Sequence, residues 1–174
     1  MIIRKATAED IEKVSKIYAD IHSEEAAGKI TTGWLKDIYP VYDTAKAAFE
    51  RDDLFVAEAN GKVVAAAIIN KNQGPIYEQA TWQYEANDEN VMVLHTLVVS
   101  PECAKNGIGT EMVSFYEKYA FENNCLELRM DTNARNLIAR KLYNKLGYKE
   151  VSIVPCVFNG IPDVHLVCLE KRIG

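Results

Sequence analysis

The chain is poor in the residues that build metal centres and cross-linked scaffolds. Its 174 residues include four cysteines, Cys103, Cys125, Cys156 and Cys168, with no Cys-x-x-Cys spacing. The three histidines, His22, His95 and His165, are scattered rather than clustered. No metal site is legible in such spacing, and the cysteines read as reduced thiols, mostly buried as small apolar residues. A Lys/Arg run is also missing. With 20 basic against 25 acidic residues, the net charge is −5 and the pI about 5.3, which argues against a nucleic-acid groove and favours a cationic over an anionic substrate. No apolar run approaches bilayer-spanning length, and Met1 onward does not resemble a signal peptide, so residence is expected in the cytoplasm, with no membrane partner. Internal repeats and linkers are absent too. A composition of 48% hydrophobic and 26% charged residues fits one soluble domain over 1–174 with a sizeable core.

What is present alternates between strand and helix signals. Met1 to Lys5 reads as a strand, and Thr7-Ala8-Glu9-Asp10 as a capping box with Asp10 in place of the usual Glu. Ile11, Val14, Ile17, Tyr18 and Ile21 form a helical stripe that breaks in the polar stretch Ser23 to Thr32. A second helical segment is expected from Gly33 through Phe49, kinked at Pro40, its aromatics packing in the core or lining an acceptor pocket. Leu54 to Ala59 and Lys62 to Asn70 are strands joined by Asn60-Gly61, a hairpin signal because both residues tolerate positive φ. Asn72 to Asn90 is a long aromatic-rich connection without a clean period, expected either to form part of the acceptor wall or to be a hairpin extension. Cys125 to Asp131 is a strand, and Lys149 to Val157 pairs with Val164 to Glu170 through Asn159-Gly160. The element order is therefore β-α-α-β-β-β-α-β-α-β-β.

The chemistry concentrates after Val91 to Val99, a β-branched run that Pro101 ends by removing a ladder donor. Gly107 and Gly109 follow, just as Met112, Val113, Tyr116 and Tyr119 take up helical spacing. A side-chain-poor turn leading into a helix N-terminus aims unsatisfied N–H groups outward and favours an anion. The P-loop and the dinucleotide fingerprint both require patterns that this stretch lacks. Downstream, Asn136, Ala139 and Tyr143 stand at i, i+3 and i+7, on one helical face, beside an Ile138, Leu142 and Leu146 stripe expected to face the core.

Val99, Pro101 and Lys105-Asn106-Gly107-Ile108-Gly109, together with Asn136-x-x-Ala139-x-x-x-Tyr143-x-x-x-Gly147-Tyr148, resemble the two signature segments of the GCN5-related N-acetyltransferase (GNAT) superfamily. Ala104 departs from the Arg or Gln usual at its position, leaving Lys105 and the backbone amides to hold a pyrophosphate. The resemblance implies an α/β fold of the α+β type: a mixed, mostly antiparallel sheet, splayed between its fourth and fifth strands and flanked by helices. It implies acetyl-CoA as cosubstrate, no metal, and direct acetyl transfer to a primary amine of a small molecule or peptide, in a chain that a homodimer would suit. Cofactor contacts are then expected from Leu97, Val99, Ala104, Lys105, Asn106, Gly107, Ile108, Gly109, Thr110 and Asn136. Leu97 and Val99 would contribute main-chain groups.

Acyl transfer to an amine needs a proton acceptor for the ammonium and a donor for the departing thiolate. Tyr143 is the expected donor. The base is open among His95, which alternation places on one strand face with Leu97 and Val99, Glu85, Asp131 and water. The runner-up reading is a non-catalytic CoA-binding or regulatory module, for which Ala104 is the hint.

Overall fold

The computed structural model covers residues 1–174. Its elements follow the expected order: β1 (Ile2–Lys5), α1 (Asp10–Ala26), α2 (Tyr42–Glu50), β2 (Leu54–Ala59), β3 (Lys62–Asn70), β4 (Val91–Val99), α3 (Ile108–Glu122), β5 (Glu127–Asn133), α4 (Leu137–Lys145), β6 (Lys149–Phe158) and β7 (Ile161–Arg172). One seven-stranded sheet runs β1-β2-β3-β4-β5-β7-β6, antiparallel except for the β4–β5 pair. No helix is long and apolar enough to cross a membrane.

Strand alternation sends apolar residues to both faces, and each face is covered by helices. Ala65, Ala67, Ile69, Met92, Leu94, Leu128 and Met130 pack with Met112, Val113 and Tyr116 of α3 and Tyr143 of α4. On the other face Ala66, Ile68 and Val98 meet Val14, Ile17 and Tyr18 of α1 and Ala45 and Ala48 of α2. The three alanines of β3 are fully buried and let helices approach closely from both sides. Burying side chains such as Val14 or Met112 contributes about 1.5–3 kcal/mol each. Both hairpin turns form as their residues dictate, with positive φ at Asn60-Gly61 and Asn159-Gly160.

Local chemistry sets the helix ends. The Asp10 carboxylate accepts from the Thr7 amide at 2.9 Å and the Thr7 hydroxyl at 3.0 Å, so the capping interaction forms while the helix starts at Asp10. α1 runs on to Ala26, four residues into the stretch read as its break. The expected helix over Gly33 to Phe49 is corrected. Positive φ at Gly33 and Asp37 turns residues 33–40 back on themselves in an irregular loop closed by a Leu35–Tyr39 bridge, and only Tyr42–Glu50 is helical.

Candidate functional site

The parallel ladder between β4 and β5 is short. It pairs Val91 through Leu94 with Glu127 through Met130 and then stops, although β4 continues to Val99 and β5 to Asn133. Beyond Leu94 the two strands diverge, and a cavity of about 1190 Å³ opens along the gap. A bulge sits at the start of this divergence. Val98 pairs with Ala66 and His95 with Ile68, so three steps on β4 oppose two on β3. Thr96 takes up the extra residue with φ +48. The bulge inverts the alternation: Met92 and Leu94 face the α3 side, and so do Leu97 and Val99. His95 therefore lies on the opposite face from Leu97 and Val99, correcting the expectation from simple alternation. The Ser100 amide donates to the Val64 carbonyl at 2.8 Å. Alternation then turns the Leu97 and Val99 amides away from β3, toward the gap.

The turn after β4 is built as its glycines suggest. Lys105 and Gly107 adopt positive φ, and Gly107 is the N-cap of α3 without a side chain to satisfy the helix amides. A Cβ at Gly107 would meet no protein atom within 4 Å. Gly109 has a different role: its Cβ would lie 3.2 Å from Leu142 Cδ2, so its bare backbone lets α3 begin against α4. Ala104, Lys105 and Gly109 line the cavity together with Leu97 and Val99. Ile108 instead sends its side chain into the core, and Asn106, Gly107 and Thr110 lie outside the cavity lining. Lys105 makes no ion pair, so its ammonium is uncommitted.

On α4 the expected face is altered at its start. Asn136 is the N-cap, its side-chain oxygen accepting the Ala139 amide at 3.1 Å, which leaves its amide nitrogen toward the cavity it lines. Ile138 is 68% exposed at the cavity rim rather than facing the core, whereas Leu142 and Leu146 pack inward as expected. Tyr143 is buried edge-to-face against Tyr148, centroids 6.2 Å apart, and lines the cavity with no hydrogen bond from its hydroxyl to the protein. Burial raises its pKa, so it stays protonated.

Two proton acceptors also reach the cavity. Asp131 stands one residue past the last β4–β5 pair and accepts a 2.8 Å hydrogen bond from the Tyr77 hydroxyl. Burial pushes its carboxyl up to about 6, with the Tyr77 bond opposing part of that rise. His95 has its Nε2 at 3.0 Å from Asn70 Oδ1, while Asn70 Nδ2 donates to Asp53 at 2.8 Å. Burial pulls the His95 imidazole down to about 4. Glu85 is elsewhere, lining a separate polar pocket with Glu127 and Arg172.

A model of the acetyltransferase (GNAT) family matches residues 13–148. The chain belongs to the GNAT acetyltransferase family. The family comprises acetyl-CoA-dependent acyltransferases. The chain is 26% identical over 172 residues to an uncharacterized N-acetyltransferase of Methanocaldococcus jannaschii, covering 98% of this chain and 92% of that one. In fold it is similar to a GNAT-family acetyltransferase of Streptococcus agalactiae (TM-score 0.84, 18% identity, 99% and 95% of the two chains). It is likewise similar to a Salmonella typhimurium protein whose structure contains its cofactor acetyl-CoA (TM-score 0.71, 17% identity, 99% and 94% covered).

In this GNAT protein the far wall of the gap comes from residues 30–40, not from the connection after β3. Trp34, Ile38 and Tyr39 line the cavity. Glu25 anchors them: its carboxylate accepts from the Thr32 amide at 2.6 Å, the Thr32 hydroxyl at 2.9 Å and the Gly33 amide at 3.1 Å. Gly33 abuts Asn133, whose amide nitrogen would be 2.2 Å from any Cβ. Replacing Glu25 by alanine should destabilise the protein by about 1–2 kcal/mol in urea denaturation, because three donors lose a charged acceptor. If this wall receives the amine, the same change should raise the amine's KM while leaving acetyl-CoA affinity intact.

The 72–90 connection packs instead against β4 and β5, away from the cavity, so of its two expected roles the cavity wall is not the one it takes. Tyr77, Trp82 and Ala86 cover Val91 and Val93, and Trp82 stacks on the Arg129 guanidinium at 4.2 Å. Of this stretch only Asn72 lines the cavity. Thr96 and Glu25 carry no sequence signal for the site, since a bulge inside a β-branched run and a glutamate late in a helix look ordinary; Tyr77 lies in a connection read for a different role, and nothing in the sequence pairs it with Asp131.

Proposed function

We propose that this chain, working as one domain over residues 1–174, transfers an acetyl group from acetyl-CoA directly to a primary amine of a small molecule or peptide. The observation that carries the reading is the unpaired β4–β5 gap. On its α3 side lie uncapped helix amides; into it open the unpartnered Tyr143 hydroxyl and the Asp131 carboxylate.

The residues present fit acetyl-CoA. Uncapped amides at Ile108, Gly109 and Thr110, the free Lys105 ammonium and the open space at Gly107 suit a pyrophosphate. The Leu97 and Val99 main chain, with no β5 partner, suits an extended amide-bearing arm laid along it as an extra strand. Asn106 contributes through its main chain beside Gly107, and the Asn136 amide nitrogen closes the opposite edge. Acetyl-CoA supplies the acetyl thioester and the thiol released.

The chain's own groups handle the protons. Asp131, ionised at neutral pH, accepts a proton from the acceptor ammonium; the Tyr77 hydrogen bond keeps its carboxylate oriented. His95 faces the same cavity, but burial lowers its pKa to about 4 while raising that of Asp131 to about 6, which favours Asp131 as the proton acceptor. Its part is to hold the Asn70 side of the cavity and an acceptor-bound water. The Leu97 amide donates toward the carbonyl oxygen of the acetyl group, and Tyr143 donates toward the sulfur.

Calorimetric titration with acetyl-CoA, followed by thiol release with a panel of amines, tests the reading. Binding with thiol release supports transfer, whereas binding without release from any amine favours the non-catalytic module. Gly107→Val should lower acetyl-CoA affinity about tenfold or more, since a β-branched residue at positive φ distorts the cap and its side chain enters the ligand's space. Unchanged binding would reject the loop assignment.

A further inference from the structure

Thr96 is an unusual residue to find in a left-handed conformation. β-Branched side chains seldom adopt positive φ, and a residue that does so needs surroundings that hold it there. The usual restraint, pairing on both sides of a strand, is missing. The β5 ladder ends at Leu94, and on the β3 side the register skips Thr96 between the His95 and Val98 pairs. What reaches it is the Tyr39 hydroxyl, hydrogen-bonded to Thr96 Oγ1. The Tyr39 ring is itself wedged edge-on between Trp34, at 6.0 Å and 82°, and Phe158, at 5.2 Å and 84°. Burial pushes the Tyr39 phenol up to about 12, so it keeps its proton throughout the working pH range.

We propose that Tyr39 is a positioning residue: its hydroxyl holds Thr96 in the bulge conformation and thereby directs the Leu97 amide into the gap. This rests on reading the gap as the acetyl-CoA site. One hydrogen bond then joins the two walls of the cavity, since Tyr39 belongs to the loop that faces the acceptor and Thr96 to the strand that faces the thioester. An acceptor seated against Trp34 and Tyr39 presses on the group that holds the acetyl-facing amide in place.

Thr96 Cα and Cβ chemical shifts report its φ in the free protein, without any turnover. In Tyr39→Phe these shifts should leave the left-handed range, and kcat should fall about tenfold or more with acetyl-CoA affinity by calorimetry unchanged. Thr96→Val, which removes the same bond from its other end, should reproduce both effects and covers the case in which Tyr39→Phe fails to fold. Glycine takes positive φ without strain, so adding Thr96→Gly to Tyr39→Phe should restore most of the lost kcat. The proposal is overturned if Tyr39→Phe leaves the Thr96 shifts in place, or if Thr96→Gly does not relieve the defect. Failure of the wild-type chain to bind acetyl-CoA would instead overturn the reading of the gap, and the shifts would still decide whether Tyr39 holds the bulge.

Discussion

Tyr143→Phe is expected to lower kcat by about two orders of magnitude, the lower end of what a positioned general acid contributes. The affinity for acetyl-CoA should change by less than about twofold. The substitution is conservative in every respect but one. The ring is packed in the α3-side core and against Tyr148, and phenylalanine keeps that contact. The hydroxyl has no partner in the protein, so its removal leaves no stranded buried donor or acceptor behind. Only a donor facing the cavity is lost. Stopped-flow thiol release measures the first quantity and calorimetry the second. Equal turnover in the two proteins would remove Tyr143 from the mechanism, and a loss of affinity without a loss of turnover would make it a binding residue.

Asp131→Asn should reduce kcat about a hundredfold or more near neutral pH and abolish the acidic limb of the pH–rate profile. In the wild type that limb should have its midpoint near 6, where burial has raised the carboxyl from its ordinary value of 3.8, because the ionised form is the one that accepts the proton. Tyr77→Phe provides a second reading of the same group. The Tyr77 hydrogen bond lowers the Asp131 pKa, so its loss should move the midpoint upward. Stability responds with the opposite sign. A carboxyl whose pKa is raised on folding binds its proton more tightly in the folded chain, so its contribution to stability is fully present below about pH 4 and is lost as pH rises through about 6. Asp131→Asn should therefore flatten the stability profile across that window while costing activity. A limb that survives in Asp131→Asn would return the base to His95 or to water.

The stretches legible in the sequence were those governed by short-range rules. Val91–Val99 and Lys62–Asn70 emerged with the expected bounds, since β-branched runs flanked by turn residues leave few alternatives. The glycine turn at Gly107 is recognisable as a helix start, because capping is a matter of neighbouring backbone groups, whereas Asn136 caps α4 instead of standing on its face. Elsewhere the sequence misled through long-range effects. Residues 33–40 carry helical spacing, yet Glu25 and Asn133, eight and a hundred residues from Gly33, hold them as a loop. The aromatic residues of 72–90 suggest a substrate wall, but Tyr77 and Trp82 pack on Val91, Val93 and the Arg129 guanidinium instead. Alternation puts His95 on one face with Leu97 and Val99, and one bulged residue reverses it.

By itself the sequence determined the order of elements, the side-chain-poor turn that leaves the first amides of α3 uncapped, and the place of Tyr143 on α4, because each depends on contacts within a few residues. Only the tertiary structure decided where β4 parts from β5, which loop forms the far wall of the cavity, and that burial raises the pKa of Asp131 while lowering that of His95. Those outcomes depend on desolvation and on strand register, which are set by groups far apart in the chain and are invisible until it is folded.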